Sequence, residues 1–210
     1  MLRINFLGDS ITEGAITTKQ EKCFVSLVGQ LLGCEVRNYG IGGTRIARQK
    51  SVSADPRWDL DFIGRVPEMK DADLVFVFGG TNDYGHGDAP MGKLGDKTPY
   101  TFYGAMQVLI DELVKKYEKN QLIFILPIYR ANDTAHHGDD PSIPKEPLAK
   151  YRKAEEEVLN KNGIEIFDIK EQIGKAEGNP LICDGLHPND KGHKMIADLI
   201  ANFVKEKIVR

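Results

Sequence analysis

Three residue types in this chain are placed where acyl-transfer chemistry could use them. Ser10 stands in Gly8-Asp9-Ser10-Ile11-Thr12, and Asp184 precedes His187 by three residues in Asp184-Gly185-Leu186-His187-Pro188. A serine hydroxyl is unreactive at its free pKa and needs a base within hydrogen-bond reach. Imidazole titrates near neutrality and suits that task. In a tight loop, a carboxylate three residues before the histidine can reach its other ring nitrogen, fix the tautomer and stabilise the imidazolium. Donors for a developing oxyanion are available in the Ser10 N–H, the Gly43 N–H and the Asn82 side-chain amide. Singly, these residues have plainer readings: a solvated hydroxyl, a turn glycine, an Asx-turn, a surface histidine. Together they supply nucleophile, base, orienting acid and oxyanion donors.

Such residues, scattered from position 10 to position 187, need a scaffold that gathers them. Leu2 to Leu7 reads as a strand ended by Gly8, which puts Ser10 at the strand's C-terminal mouth. Phe24, Leu27, Val28 and Leu31 recur at helical spacing within a helix expected from about Lys19 to Leu32. Cys34 to Asn38 reads as a second strand, followed by Gly40-Ile41-Gly42-Gly43-Thr44. Between Pro56 and Pro67 the pattern is weakly helical. Leu74 to Phe78 and Leu122 to Leu126 are continuous apolar runs, as expected for strands buried on both faces of a parallel sheet. The first ends at Gly79-Gly80-Thr81-Asn82-Asp83. Helices are expected over 101–119, around Leu148 to Val158, and at the C-terminus through Ile196 to Phe203, with a fifth strand at Ile164 to Phe167. Residues 84–99 and 129–144 lack periodicity and read as long loops able to shape the acyl and alcohol sites.

The alternation predicts one α/β domain over residues 1–210, with a five-stranded parallel sheet covered by helices on both faces. Every unusual loop follows a strand. Because parallel strands share one C-terminal edge, Ser10, Gly43, Asn82 and the Asp184/His187 loop can converge there.

With these blocks in view, the chain resembles the SGNH hydrolases of the GDSL lipase/esterase superfamily. The resemblance is carried by Gly8-Asp9-Ser10-Ile11-Thr12, Asn38 through Gly43, Gly79-Gly80-Thr81-Asn82-Asp83 and Asp184-x-x-His187-Pro188, which span nearly the whole sequence in the family's order. It implies Ser10 as nucleophile, His187 as base and Asp184 as its orienter. It also implies an oxyanion hole of Ser10, Gly43 and Asn82. Gly42 and Gly43 are adjacent, and counting from Asn38 places Gly43 on the family's glycine, although Thr44 follows where many members carry Asp. The fold implied is a flavodoxin-like three-layer α/β/α sandwich of strand order 2-1-3-4-5.

Composition narrows the partners. With 210 residues, 41% apolar, 28% charged and a formal charge of −3, the chain has the profile of an ordinary globular domain without a basic footprint for nucleic acid or anionic lipid. The first strand begins at residue 2, leaving no room for a signal peptide, and no run approaches a membrane-spanning length. A cytoplasmic location without membrane insertion is therefore expected. Cys23, Cys34 and Cys183 form no paired motif and read as reduced and mostly buried. Arg45 replaces the third glycine of a dinucleotide-binding turn after Gly40, no Walker lysine is present, and His136, His137, Asp139 and Asp140 read as a polar loop. No metal or organic cofactor is called for. Arg45, Arg48 and Arg130 read either as contacts for an anionic substrate group or as surface charge. The expected partner is a small-molecule ester. Lacking an extended apolar lid segment, the chain reads as specific for short acyl groups, with acetylated sugars first and lysophospholipids or thioesters as competitors. A non-catalytic carbohydrate-binding module is the alternative of a different class.

Overall fold

A computed structural model describes residues 1–209. Five parallel strands form one sheet in the order β2-β1-β3-β4-β5, with β1 at Arg3–Gly8, β2 at Glu35–Gly40, β3 at Leu74–Phe78, β4 at Leu122–Ile125 and β5 at Glu165–Phe167. β1 lies inside the sheet, pairing Ile4 with Val36 on one side and with Leu74 on the other.

The continuous apolar runs of β3 and β4 have the physical cause inferred for them. Successive strand side chains point to opposite faces, so a strand covered on both sides has no polar position. Val75 and Val77 join one core and Leu74, Phe76 and Phe78 the other. The first core lies under α3 (Phe62–Arg65), α5 (Phe102–Leu113) and α6 (Leu148–Asn162). The second lies under α2 (Phe24–Leu32) and α8 (Asp190–Val209). Within the second, Phe6 stacks on Phe76 with centroids 5.3 Å apart. Burying each such side chain is worth about 1.5–3 kcal/mol.

Several boundaries differ from expectation. α2 starts at Phe24, because a 3-10 turn at Gln20–Lys22 ends in extended backbone at Cys23. α5 stops at Leu113, short of Lys119. The weak pattern between Pro56 and Pro67 resolves into α3 flanked by 3-10 turns at Pro56–Asp59 and Val66–Glu68, each carrying its proline in the first helical turn, where a missing N–H costs nothing. Three short helices were not anticipated: α1 (Ser10–Glu13), α4 (Thr81–His86) and α7 (Lys170–Ile173). Two of them carry candidate site residues. Cys23 is buried, but Cys34 is half-buried and Cys183 exposed, because Cys183 sits on an outward loop at the sheet edge rather than inside a core.

The chain leaves β1 toward β2 on one side and later returns to β3 on the other. The crevice between the loops after β1 and β3 is where ligands bind in open sheets of this kind. Ser10 and Asn82 open those two loops.

Candidate active site

Ser10 is fixed by a strand-turn-helix junction. β1 ends at Gly8, where a β-carbon would fall 2.0 Å from Thr12 Oγ1, so only glycine lets the helix fold back this closely. Asp9 then caps α1 by accepting the Ile11 N–H at 3.0 Å. Ser10 is therefore the first residue of α1, and its N–H is among those for which a helix has no internal acceptor.

The C-terminal loop reaches the same place. His187 Nε2 lies 2.9 Å from Ser10 Oγ, and His187 Nδ1 lies 2.7 Å from Asp184 Oδ2. The other carboxylate oxygen of Asp184 accepts the N–H groups of Leu186 at 3.1 Å and His187 at 2.7 Å, so the carboxylate shapes the loop as well as holding the ring. Partial burial opposes ionisation of Asp184, but the bonds from His187 and Leu186 outweigh it and hold the carboxyl below its ordinary range. Asp9, 2% exposed, is pushed up to about 6 by burial, against the pull of the Ile11 N–H, His187 and Arg65.

The glycine loop lies against this pair. A β-carbon on Gly42 would stand 3.6 Å from Ser10 Cβ, and the Gly42 N–H donates to Glu13 Oε2 at 2.8 Å. Of the two adjacent glycines, Gly42 thus has its N–H engaged inside the protein. Gly43 has φ +76°, and a β-carbon there would overlap the Trp58 indole, 2.1 Å from Cδ1. Both the backbone angle and the indole demand glycine. Asn82 Nδ2 donates to Thr44 O at 3.0 Å, which ties α4 to the residue after Gly43 and leaves the amide a second N–H.

Buried groups that sequence reading passed over brace this arrangement. Asp83 accepts the N–H groups of Ile46 at 2.9 Å and Ala47 at 2.8 Å. Burial pushes its carboxyl up to about 6, opposed by those two N–H groups and by the charges of Arg45 and Lys145. Arg65 donates to Gly8 O at 3.1 Å and Thr44 Oγ1 at 2.9 Å, joining the ends of both loops. Burial lowers its guanidinium to about 10. The signal for Asp83 was its place in the Gly79–Asp83 block; Arg65 offered none beyond a charge in an otherwise apolar turn.

The arginines read as possible substrate contacts are committed elsewhere. Arg45 is 3% exposed and bonds Asp59, Ser53 and Trp58; Arg130 is 6% exposed and bonds Thr81 and Asp139. Arg48 pairs with Asp61 at 3.0 Å. The long loops do face each other, around a cavity of about 560 Å³ lined by Asp88, Met91, His136 and Ile143, among others, but not by Ser10, Gly43, Asn82 or His187.

Comparison with known proteins agrees with this architecture. The pattern of the GDSL-like lipase/acylhydrolase family matches residues 6–195. A crystal structure of a Lactobacillus plantarum protein shares 26% identity, with 98% of this chain and 97% of that one covered at a TM-score of 0.79. A lipase/acylhydrolase from Enterococcus faecalis shares the fold at 22% identity, TM-score 0.71, with coverage of 99% and 97%. So does a carbohydrate acetylesterase from Sinorhizobium meliloti, at 17% identity, TM-score 0.71, and 98% and 99% coverage. No curated protein matches the sequence. Among the described residues no helix is long and apolar enough to cross a membrane. With the family's pattern running from inside β1 into α8, the chain belongs to the GDSL-like lipase/acylhydrolase family.

Proposed function

We propose that this protein is a serine ester hydrolase that releases short acyl groups, acetyl foremost, from a small-molecule ester such as an acetylated sugar. The observation that carries the reading is the unbroken relay from Ser10 Oγ through His187 to Asp184, at 2.9 and 2.7 Å. A binding module has no use for such a relay. The carbohydrate acetylesterase from Sinorhizobium meliloti, alike in fold, is consistent with the substrate class.

In the proposed reaction Ser10 Oγ bonds to the ester carbonyl carbon as its proton passes to His187 Nε2. The oxyanion is met by the N–H groups of Ser10 and Gly43 and the Asn82 amide. The carbon–alkoxy bond then breaks, and His187 returns the proton to the departing alcohol. Water attacks the acyl-serine with His187 again as base, and the carboxylic acid leaves as Ser10 regains its proton. Asp184 fixes the tautomer and stabilises the imidazolium. Every group used is a residue of the chain, so activity should be insensitive to chelators.

The test is hydrolysis of p-nitrophenyl acetate by the wild-type protein and Ser10→Ala, with and without a chelator. Chelator-insensitive turnover that disappears with Ser10 is expected. Equal rates for the two folded proteins would defeat the proposal.

A further inference from the structure

We propose that Trp58 and His86 form a fixed aromatic wall on the acyl side of Ser10, and that this wall limits the acyl group to acetyl or similarly short chains. The inference rests on the esterase reading above and assigns its chain-length selectivity to two residues.

The wall is built onto the candidate oxyanion donors. The Trp58 indole lies directly against Gly43, with Cδ1 2.1 Å and Nε1 2.2 Å from where a β-carbon would be. Its centroid is 4.8 Å from that of the His86 ring. His86 follows Asn82 by four residues in α4, so it stands one turn along on the same helix face. The two rings therefore bridge the elements that supply Gly43 and Asn82.

Arg45 locks both members. Its Nη1 lies 3.2 Å from His86 Nδ1, and its Nη2 donates to Trp58 O at 3.1 Å and to Asp59 Oδ1 at 2.9 Å. A guanidinium only donates, so His86 Nδ1 accepts and the ring proton sits on Nε2. Burial, reinforced by the Arg45 charge, lowers the imidazole to about 4. At neutral pH the surface is uncharged, and it is held by a buried side chain rather than by a mobile lid.

The stereochemistry of attack directs the acyl group there. In the tetrahedral intermediate the alkoxy oxygen must face His187 Nε2, which protonates it, and the oxyanion must face the N–H donors. The acyl substituent takes a separate arm of the tetrahedron, turned from both His187 and the oxyanion donors, and the rings that pack on Gly43 and stand one turn from Asn82 border the space beside those donors. Both rings are half-buried, so each keeps part of its surface open. A long acyl chain that meets this face has to displace rings whose positions the buried Arg45 fixes.

The test uses p-nitrophenyl acetate, butyrate and octanoate with wild type, Trp58→Ala and His86→Ala. In wild type kcat/KM should fall with chain length, and the octanoate-to-acetate ratio should rise by at least about 10–200-fold in Trp58→Ala, the range that a single methylene commands in an apolar pocket. His86→Ala leaves the Gly43 contact in place and should raise the ratio in the same direction, which covers the case in which Trp58→Ala disturbs the loop. Trp58 is the only tryptophan of the chain, which supplies a second readout. A p-nitrophenyl methylphosphonate ester should phosphonylate Ser10 with loss of p-nitrophenolate, and the adduct should change the Trp58 emission. Phosphonylation at Ser10 with unchanged emission, together with an unchanged chain-length ratio in both variants, would overturn the wall while leaving the esterase reading intact. Absence of Ser10-dependent turnover and of labelling would remove both.

Discussion

Glu13 Oε2 accepts the Gly42 N–H at 2.8 Å, while its other oxygen receives Arg57 Nη2 at 2.6 Å. One carboxylate at the end of the Ser10 helix thereby fixes the Ile41–Gly42 peptide, one residue before Gly43, and holds the residue next to Trp58. Of two neighbouring glycine N–H groups, that of Gly42 is engaged inside the protein, and that of Gly43 is the proposed oxyanion donor. A hydrogen bond to a charged group is worth about 1.5–3 kcal/mol, and less where water reaches it, as it does at Glu13. Glu13→Ala should lower kcat about tenfold with little change in KM. A loss confined to KM would show that Glu13 acts on binding instead.

Asn82 spends one N–H on Thr44 O and has one left. Removing an oxyanion donor costs about 10²–10³ in kcat. Asn82→Ala should show a loss of that size in p-nitrophenyl acetate turnover, with substrate affinity largely kept. A rate within threefold of wild type would take the amide out of the reaction.

Asp184 makes two kinds of contact, one to the His187 ring and two to backbone N–H groups. Asp184→Asn keeps an acceptor for the loop but can present its amide to Nδ1, which favours the wrong tautomer. In the serine-protease triad that change costs about 10⁴ in kcat. A comparable loss is expected here, with the melting temperature within a few degrees of wild type. Collapse of the fold instead would assign Asp184 to loop structure alone.

Much of this was legible because the physics behind it is local. Leu74 to Phe78 read as a strand buried on both faces because it is continuously apolar and β-rich, and the parallel sheet followed from strands that alternate with helices, with the strand order supplied by the family resemblance. That the loops of Ser10, Asp184 and His187 meet was legible because they lie beyond the C-terminal ends of parallel strands, which share one edge. α1 and α4 were not, since a four- to six-residue helix is too short to show a period. Trp58 and Arg65 were also missed as site neighbours, because their positions depend on how the 45–70 segment folds over the sheet edge. That path is set by long-range bonds from Arg65 to Gly8 and Thr44, which no local spacing encodes.

Ile16 has φ +68°, a left-handed conformation that β-branched residues rarely adopt, and its side chain is 47% exposed. Little burial is gained in return for strain of about 1–2 kcal/mol. Asparagine tolerates this conformation, so Ile16→Asn should raise Tm by about 2–4 °C, the shift that 1 kcal/mol produces in a domain of this size. If Tm falls in a thermal melt, the Ile16 side chain contributes packing that its exposure does not reveal.

Asp83 titrates at about 6 in the folded protein against an ordinary value of 3.8, so the folded state holds its proton more tightly than the unfolded chain does. The sign for such a raised group is that its stabilising contribution is complete below pH 3.8 and is lost as pH rises through 6. Each pKa step is worth 1.36 kcal/mol, so ionising Asp83 inside the fold costs on the order of 3 kcal/mol by pH 7. Asp83→Asn removes that dependence, along with one acceptor for the N–H groups of Ile46 and Ala47. The variant should be the weaker protein at pH 4 and should gain on wild type as pH rises toward 7. Urea unfolding of both at pH 4, 5.5 and 7 measures the difference directly. If the stability gap is the same at all three values, Asp83 is already ionised at the lowest of them, and its two backbone N–H bonds outweigh its burial.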